Sequence, residues 1–214
     1  MDLNNFIDHT LLKATATLDD IKRICEEAKQ YNFCAVCVNP CYVKYAKNLL
    51  NDANTKICTV IGFPLGQNTI ETKAFEAKDA VENGADEIDM VINVGAILAS
   101  DYNYVSKEIA TIRESAKDKV LKVIIETCYL NTEQIKKMTQ ICIENGADFV
   151  KTSTAFGTRG ASVQDIDTIS AVAHDAIKIK ASGGIKTKEF ALELIDAGAT
   201  RIGTSSGVAL ISKE

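Results

Sequence analysis

The feature that most constrains this chain is the regular alternation of short β-branched runs with longer amphipathic segments of helical length. The runs predict eight strands, at residues 6–11, 35–38, 57–61, 87–92, 121–126, 149–152, 177–181 and 201–204. Strands separated by helices pair in parallel, because the helix carries the chain back to the start of the sheet. The pattern therefore predicts one α/β domain over residues 1–214, folded as a (β/α)8 TIM barrel, with an open doubly wound sheet as the alternative.

Signals for helix ends agree with this alternation. Gly84, Gly146 and Gly198 each close a helical pattern just before a strand, and glycine tolerates the left-handed conformation that ends a helix. Helices are predicted to begin after Thr17 and Asn131, because both side chains can accept a hydrogen bond from the first turn. The helical segments are therefore separate units, each bounded by its own stop and start.

Charge and hydropathy limit the classes of partner. The 24 basic residues are outnumbered by 29 acidic ones, and a formal net charge of -5 supplies no broad positive field for nucleic acid. No segment approaches the roughly 18 consecutive apolar residues of a membrane span, and the N-terminus lacks the basic and apolar regions of a signal peptide. We therefore expect a cytoplasmic protein that binds neither nucleic acid nor membranes.

The seven cysteines are an odd number and fall mostly within apolar patterns, which is typical of reduced core thiols rather than of disulfides. Cys34 and Cys37 have a C-x-x-C spacing, but no second pair and no nearby histidine completes a zinc site. We predict no metal ligand in this chain.

Charged side chains occupy several predicted strands at positions that alternate with apolar ones. In a parallel barrel the alternate face points inward, so the pattern predicts that Asp89, Lys122 and Glu126 face the interior. Lys151 and Lys180 also lie in strands, near the C-terminal ends. A buried charge is costly unless it is paired or used. A structural ion-pair network and a catalytic site both explain such residues.

The positions of the two late lysines favour catalysis. A barrel carries its reactive end at the C-terminal ends of its strands, where Lys151 and Lys180 both lie. Two lysines in one cavity can make an amine nucleophilic, because a neighbouring positive charge and desolvation lower the pKa of the attacking amine. Asp89 can carry protons, and Lys122, deeper in its strand, is predicted to pair with Asp89. We interpret Lys151 as a nucleophile that forms a Schiff base with a small aldehyde.

Two glycine-rich turns follow the seventh and eighth predicted strands. They contain Gly183, Gly184, Ile185 and Lys186 in the first turn and Gly203, Ser205 and Ser206 in the second. Bare glycine lets backbone N–H groups approach an anion, and barrels bind phosphate at these two loops. Glycine in either turn alone is explained by turn geometry, but the pair predicts a phosphate site.

Segments spread along the chain closely resemble the deoxyribose-phosphate aldolases. They are EIDMVIN at 87–93, VKTST at 150–154 and KASGGI at 180–185, with IDHTLL at 7–12 and VCVNP at 36–40 resembling the first two strands of that family. The resemblance covers nearly the whole chain in the right order. It implies a (β/α)8 barrel and a class I aldolase that cleaves 2-deoxy-D-ribose 5-phosphate to glyceraldehyde 3-phosphate and acetaldehyde, without metal or other cofactor.

The resemblance also assigns roles to residues of this chain. It implies that Lys151 is the Schiff-base lysine and that Asp89 and Lys180 donate and accept protons. The predicted substrate-binding residues are Asp8, Lys122, Thr152, Gly183, Gly184, Ile185, Lys186, Gly203, Ser205 and Ser206. The expected partners are a small phosphorylated sugar and acetaldehyde, and the expected assembly is a homodimer.

Two features depart from the family pattern. Many relatives have glycine after the Lys-Thr-Ser-Thr run, whereas this chain has Ala155, whose methyl group is expected to weaken substrate affinity rather than the chemistry. The sequence ends at Glu214, without the longer tail and terminal tyrosine that some members use in proton transfer. His9 is predicted to be a hydrogen-bonded structural histidine rather than a general base.

Two other functions stay open at the level of sequence. The first is another Schiff-base barrel, such as a transaldolase-like enzyme or one acting on a different phosphorylated aldehyde. The second is a barrel that binds sugar phosphates without catalysis, with the strand lysines serving only as anion anchors.

Overall fold

A computed structural model describes residues 2–212 of the chain, so Glu214 and the prediction made for it lie outside the described residues. Eight parallel strands form a closed barrel in which each pairs with the next and the last pairs with the first. They are β1 (Ile7–Leu11), β2 (Ala35–Val38), β3 (Lys56–Ile61), β4 (Glu87–Val91), β5 (Val120–Ile124), β6 (Phe149–Lys151), β7 (Lys178–Ser182) and β8 (Arg201–Thr204). The single-domain (β/α)8 TIM barrel is confirmed, and the pairing of β8 with β1 excludes the open sheet.

Helices surround the barrel. They are α1 (Leu18–Gln30), α2 (Val43–Leu49), α3 (Ile70–Glu82), α4 (Val94–Leu98), α5 (Tyr102–Ala116), α6 (Thr132–Glu144), α7 (Val163–Ala173), α8 (Lys188–Asp196) and α9 (Gly207–Ile211). Thr17 and Asn131 cap α1 and α6 as predicted, each in a reciprocal capping box with the residue three positions on. Within residues 2–212, no helix combines the length and the apolar character needed to cross a membrane.

Half of the strand ends coincide with the predicted ones and the other half differ by one or two residues, and β5 shows the clearest difference. The prediction extended this strand to residue 126, but it ends at Ile124. Glu126 has a φ of 51° and a ψ of 66°, a left-handed conformation that no strand contains. The prediction that Glu126 lies on the inward face of this strand is therefore wrong, although its side chain is buried.

The two faces of the strands pack differently. Ile88 and Met90 of β4 belong to the large apolar core between the barrel and its helices. Inside the barrel, a small apolar cluster at β2 and β3 contains Cys37 and Cys58, and the inward positions of β4 carry charge instead. The fold therefore separates an apolar outer layer from an interior that is charged over much of its circumference.

Candidate active site

A cluster of buried charges fills much of the barrel interior. Its members are Asp8, Glu87, Asp89, Lys122, Lys151, Lys180 and Arg201, all of them buried. Three carboxylates thus face four cations, so the cluster has one positive charge in excess when every group is ionised. Because a net charge is costly in a desolvated interior, the cluster is stabilised by losing one proton.

Asp89 lies at the centre of this cluster. Its Oδ2 accepts hydrogen bonds of 2.7 Å from both Lys151 and Lys180. Its Oδ1 accepts hydrogen bonds from Lys122 at 2.8 Å and from the Cys58 thiol at 3.0 Å. The predicted pairing of Lys122 with Asp89 is confirmed, and it follows from the register that places the two residues side by side on β4 and β5.

These contacts decide the protonation of Asp89. Burial alone would raise the pKa of this carboxyl group, but the ammonium groups of Lys122, Lys151 and Lys180 outweigh burial and hold the pKa well below its usual range. Asp89 is therefore a carboxylate in the resting site. It can accept a proton or orient an ammonium group, and it has no proton of its own to donate.

Lys180 is held between two carboxylates. Its Nζ lies 2.5 Å from Asp8 Oδ2 and 2.7 Å from Asp89 Oδ2. Burial opposes the charged form, but Asp8 and Asp89 together raise the pKa of Lys180 above its usual value. Lys180 is therefore an ammonium group, and it neighbours Lys151 directly in the strand register. This places a positive charge beside Lys151, as the sequence predicts.

A cavity of about 280 Å³ opens above Lys151, at the C-terminal ends of the strands. Its lining includes Lys151, both glycine-rich turns, the end of β1 with the two residues after it, and the segment after β6. The residues are Thr10, Leu11, Leu12, Lys13, Lys151, Thr154, Ala155, Phe156, Ser182, Gly183, Gly184, Ile185, Lys186, Gly203, Thr204 and Ser205. Two of the lining residues, Lys13 and Lys186, are exposed and carry positive charge. The cavity therefore combines one buried amine with a glycine-rich, positively charged rim.

Glycine is required where the second turn approaches the cluster. A Cβ atom at Gly203 would lie 2.9 Å from Ser182 Cβ and 3.1 Å from Lys180 Cε, which is closer than real Cβ contacts. In the first turn, Gly183 and Gly184 have φ values of 88° and 76°, in the left-handed region that glycine favours. Both turns thus depend on glycine to fit closely around the cavity.

The predicted substrate-binding residues do not all lie in one place. Those of the glycine-rich turns line the cavity, apart from Ser206. Asp8 and Lys122 lie in the charged cluster instead, and Asp8 is bound by Arg201 Nε at 2.8 Å. The Thr152 hydroxyl accepts a hydrogen bond from Ser182 N at 3.1 Å and so ties β6 to β7.

Sequence reasoning missed part of the lining. Thr10 and Leu11 end β1, and Leu12 and Lys13 follow it; this segment has no glycine and no charge inside the strand to mark it as part of a site. Ala155 also lines the cavity, with a φ of 71° that is unusual for alanine. His9 lies apart from the cavity lining and is hydrogen-bonded to Glu27 at 2.6 Å, which is consistent with the structural role predicted for it.

The cluster is poorly suited to a metal ion. Cys37, Cys58 and Asp89 place one potential ligand atom each within 4.8 Å of one another. However, Lys122, Lys151 and Lys180 already bind the two Asp89 oxygens, so a cation would have to displace ammonium groups from a site that is already positive. The arrangement instead fits an amine that reacts with a carbonyl group beside a fixed ammonium and a fixed carboxylate.

Comparisons with known proteins agree with this chemistry. A family model described as DeoC/LacD family aldolase matches residues 4–213. A deoxyribose-phosphate aldolase from Finegoldia magna is 54% identical over 211 residues, covering 99% of each chain. Among solved structures, an aldolase named QR15 is 44% identical, with a TM-score of 0.95 over 98% of this chain and 94% of that one. A deoxyribose phosphate aldolase from Aeropyrum pernix, described as a unique tetramer, is 35% identical, with a TM-score of 0.91 over 97% of this chain and 88% of that one.

Proposed function

The chain belongs to the DeoC/LacD family of aldolases, and from this premise we propose that Lys151 is the amine on which it performs an aldol cleavage. The chain is a deoxyribose-phosphate aldolase, a class I carbon–carbon lyase. It cleaves 2-deoxy-D-ribose 5-phosphate reversibly to D-glyceraldehyde 3-phosphate and acetaldehyde. The observation that carries the assignment of Lys151 is its place at the floor of the cavity, 2.7 Å from an Asp89 oxygen that Lys180 also binds.

The reaction begins with the neutral amine. The charged cluster is balanced once one of its cations loses a proton, and Lys180 keeps its proton between two carboxylates. Lys151 contacts one carboxylate and lines the cavity, so it is the cation best placed to release a proton to solvent. Its neutral Nζ then attacks C1 of the open-chain sugar phosphate to give a carbinolamine.

Loss of water converts the carbinolamine to an iminium ion, and the Lys180 ammonium is placed to protonate the departing hydroxyl. The iminium then accepts the electron pair of the bond between C2 and C3, because the products contain two and three carbons. Lys180, left neutral after protonating the departing hydroxyl, removes the proton of the C3 hydroxyl, which releases glyceraldehyde 3-phosphate and leaves Lys180 as the proton donor for the next step. Protonation and hydrolysis of the remaining enamine release acetaldehyde and restore the Lys151 amine.

Asp89 supports these steps as a carboxylate. It fixes the positions of Lys151 and Lys180 relative to each other, and it is the acceptor through which a proton can pass between them, directly or through water. The phosphate group binds at the rim, where Gly183, Gly184 and Gly203 line the cavity without side chains and the space beside Gly184 is open. Anchoring the phosphate there fixes how far C1 reaches toward Lys151.

The test is product analysis on the purified chain. We expect 2-deoxyribose 5-phosphate to release acetaldehyde and ribose 5-phosphate to release none, because the second sugar carries a C2 hydroxyl. Lys151→Met abolishes the reaction. Lys178→Met is the matched control, because Lys178 lies on the same strand as Lys180 but is exposed at its N-terminal end. A barrel that only binds sugar phosphates would bind the substrate by calorimetry without turnover, and a transaldolase-like enzyme would fail to release acetaldehyde.

The remaining expectations concern assembly and location. A homodimer and a cytoplasmic location are predictions for this chain. The relative from Aeropyrum pernix is described as a tetramer, so a mass measurement by light scattering decides between two and four copies. Fractionation of cells that express the chain tests the location.

A further inference from the structure

We propose that Glu126 is a positioning residue that acts through Thr154 to hold one wall of the catalytic cavity. This wall is the turn of residues 154–156, defined here as the cavity turn. The inference relies on the proposed function for its kinetic test, but its geometry is independent of the reaction. Glu126 lies outside the charged cluster, and the aldol mechanism gives it no role.

The environment of Glu126 is unusual for a carboxylate. The side chain is only 3% exposed. Within residues 2–212 its hydrogen-bond donors all belong to Thr154, and no salt bridge includes it. A buried carboxylate without a cation is costly unless hydrogen bonds satisfy it. The hydrogen bonds that Glu126 accepts, rather than an ion pair, therefore account for its burial.

Glu126 binds Thr154 twice. The Thr154 backbone N–H points at both carboxylate oxygens, at 3.2 Å and 3.3 Å, and the Thr154 hydroxyl donates to Oε2. Because a carboxylate can only accept, it fixes the direction of that hydroxyl. The hydroxyl oxygen is then free to accept a hydrogen bond from Phe156 N at 3.0 Å. A chain of hydrogen bonds thus runs from Glu126 through Thr154 to Phe156.

This chain of bonds closes a turn that the backbone does not favour. Ala155, between the two bonded residues, has a φ of 71°, a conformation that costs an alanine about 1–2 kcal/mol relative to the right-handed region. Thr154, Ala155 and Phe156 all line the catalytic cavity. The hydrogen bonds that Thr154 donates to Glu126 therefore offset strain where the turn lines the cavity.

Packing against the residue that follows the turn restricts Glu126 on one side. A Cβ atom at Gly157 would lie 2.6 Å from Cys128 Sγ and 3.2 Å from Glu126 Cδ, so the turn is pressed directly against both residues. Thr127, the next residue, donates its backbone N–H to Thr152 O at 2.9 Å. The carboxylate is thus fixed on a segment that continues to bond to the chain after β6.

The nucleophile is held by different contacts. Lys151 is positioned by the register of β6 between its neighbours and by its hydrogen bond to Asp89. Loss of Glu126 is therefore expected to loosen the cavity turn without displacing the amine. This predicts a selective defect, in which substrate binding is impaired while Schiff-base formation with a small aldehyde continues.

The experiment compares Glu126→Ala and Glu126→Gln with Thr154→Ala and Thr154→Ser. We expect Glu126→Ala and Thr154→Ala to raise KM for 2-deoxyribose 5-phosphate about ten- to hundredfold, as expected for lost hydrogen bonds to a charged group. Glu126→Gln gives a smaller rise, and Thr154→Ser stays within about twofold of the parent. The Glu126→Ala/Thr154→Ala double variant is no worse than either single one, because both break the same chain of bonds. Borohydride trapping of acetaldehyde on Lys151 keeps its rate in all of them.

Two further measurements separate positioning from general destabilisation. Glu108→Gln is the matched control, because Glu108 is another buried carboxylate but pairs with Lys73 outside the cavity lining; it is expected to lower the melting temperature and leave KM unchanged. Amide hydrogen exchange of the peptide that contains the cavity turn should accelerate in Glu126→Ala and Glu126→Gln.

Three results would overturn the inference: an unchanged KM in Glu126→Ala, additive losses in the double variant, or an equal rise in KM in Glu108→Gln. If Glu126→Ala fails to fold, the KM of Glu126→Gln and the comparison of Thr154→Ala with Thr154→Ser test the inference instead. If the parent chain traps no acetaldehyde, the proposed function fails, and the exchange measurement still decides whether Glu126 holds the turn.

Discussion

Replacing Asp89 by asparagine removes the negative charge at the centre of the cluster and almost nothing else. The amide has one oxygen, so it can replace only one of the two acceptors that now bind Lys122 on one side and Lys151 and Lys180 on the other. Its NH2 group would face an ammonium group. Two carboxylates would then remain for four buried cations. Breaking a buried ion pair by removing one partner costs about 3–5 kcal/mol, so we expect a loss of unfolding free energy in that range.

The effect on catalysis is expected to exceed the effect on folding. Without the carboxylate, Lys151 and Lys180 share at most a neutral amide oxygen, which does not take up a proton, and proton transfer between them slows. Proton transfer by a positioned group is worth about a hundredfold to ten-thousandfold, so kcat should fall within that range. Urea unfolding gives the stability, and initial rates at saturating 2-deoxyribose 5-phosphate give kcat at temperatures where circular dichroism shows a folded variant.

Glu87→Gln is the matched control for this experiment. Glu87 also lies on β4, two positions before Asp89, and binds Lys122 at 2.6 Å and Arg201 at 2.7 Å. Its removal should cost a similar free energy of unfolding but leave kcat within a few-fold, since it does not contact Lys151 or Lys180. The reasoning is refuted if Asp89→Asn keeps its kcat, or if Glu87→Gln loses as much of it.

Three further predictions follow from the geometry. The pKa values of Asp8 and Asp89 are lower in the folded chain than in the unfolded one. The two carboxylates therefore contribute fully to stability above their unfolded-state pKa of about 4, and this contribution is lost as the pH falls toward their folded-state pKa values. Melting temperatures should fall on acidification across this range, and a melting temperature that rises would contradict the prediction. Ala155→Gly removes the strain of a left-handed alanine, although glycine also adds entropy to the unfolded chain. We expect a net increase of up to about 1 kcal/mol in the free energy of unfolding measured with urea, together with a lower KM. A loss of stability would contradict the assigned strain. Gly203→Ala forces a Cβ to within 2.9 Å of Ser182 Cβ and should lower kcat/KM at least tenfold by moving the turn against the cluster, whereas a fully active variant would show that the contact relaxes freely.

Regular features of the fold were predictable because their causes are local. The alternation of Asp89 with Ile88 and Met90 places the charge on one face and the apolar side chains on the other, and the structure follows it. The capping boxes at Thr17 and Asn131 involve residues three positions apart. The glycine-rich turns could be located because glycine is needed where the backbone is left-handed, as at Gly183 and Gly184, or closely packed, as at Gly203.

Contacts between distant strands were less accessible to sequence reasoning. The sequence indicated that Lys180 faces inward. No residue near it in the sequence predicts its contact with Asp8, whose carboxylate lies 2.5 Å from Lys180 Nζ across the closure of the barrel. That contact raises the pKa of Lys180 and keeps it an ammonium group. The segment from Thr10 to Lys13, at the end of β1 and just after it, lines the cavity through the same closure, and its composition does not mark it as part of a site.

The end of β5 shows how tertiary contacts override a strand pattern. The run from residue 121 to Glu126 alternates as a strand should, yet the backbone becomes left-handed at Glu126. The cause lies on another segment, because the carboxylate turns to bind Thr154 after β6. No property of the run itself carries that information.

The most direct test of the account is to find which amine forms the Schiff base. The chain is incubated with acetaldehyde and borohydride, digested with a protease, and the modified peptide is identified by mass spectrometry. We predict an ethyl group on Lys151 and none on Lys180, although both amines lie 2.7 Å from the same Asp89 oxygen. An adduct on Lys180, or no two-carbon adduct on either lysine, would contradict the assignment of Lys151 as the nucleophile.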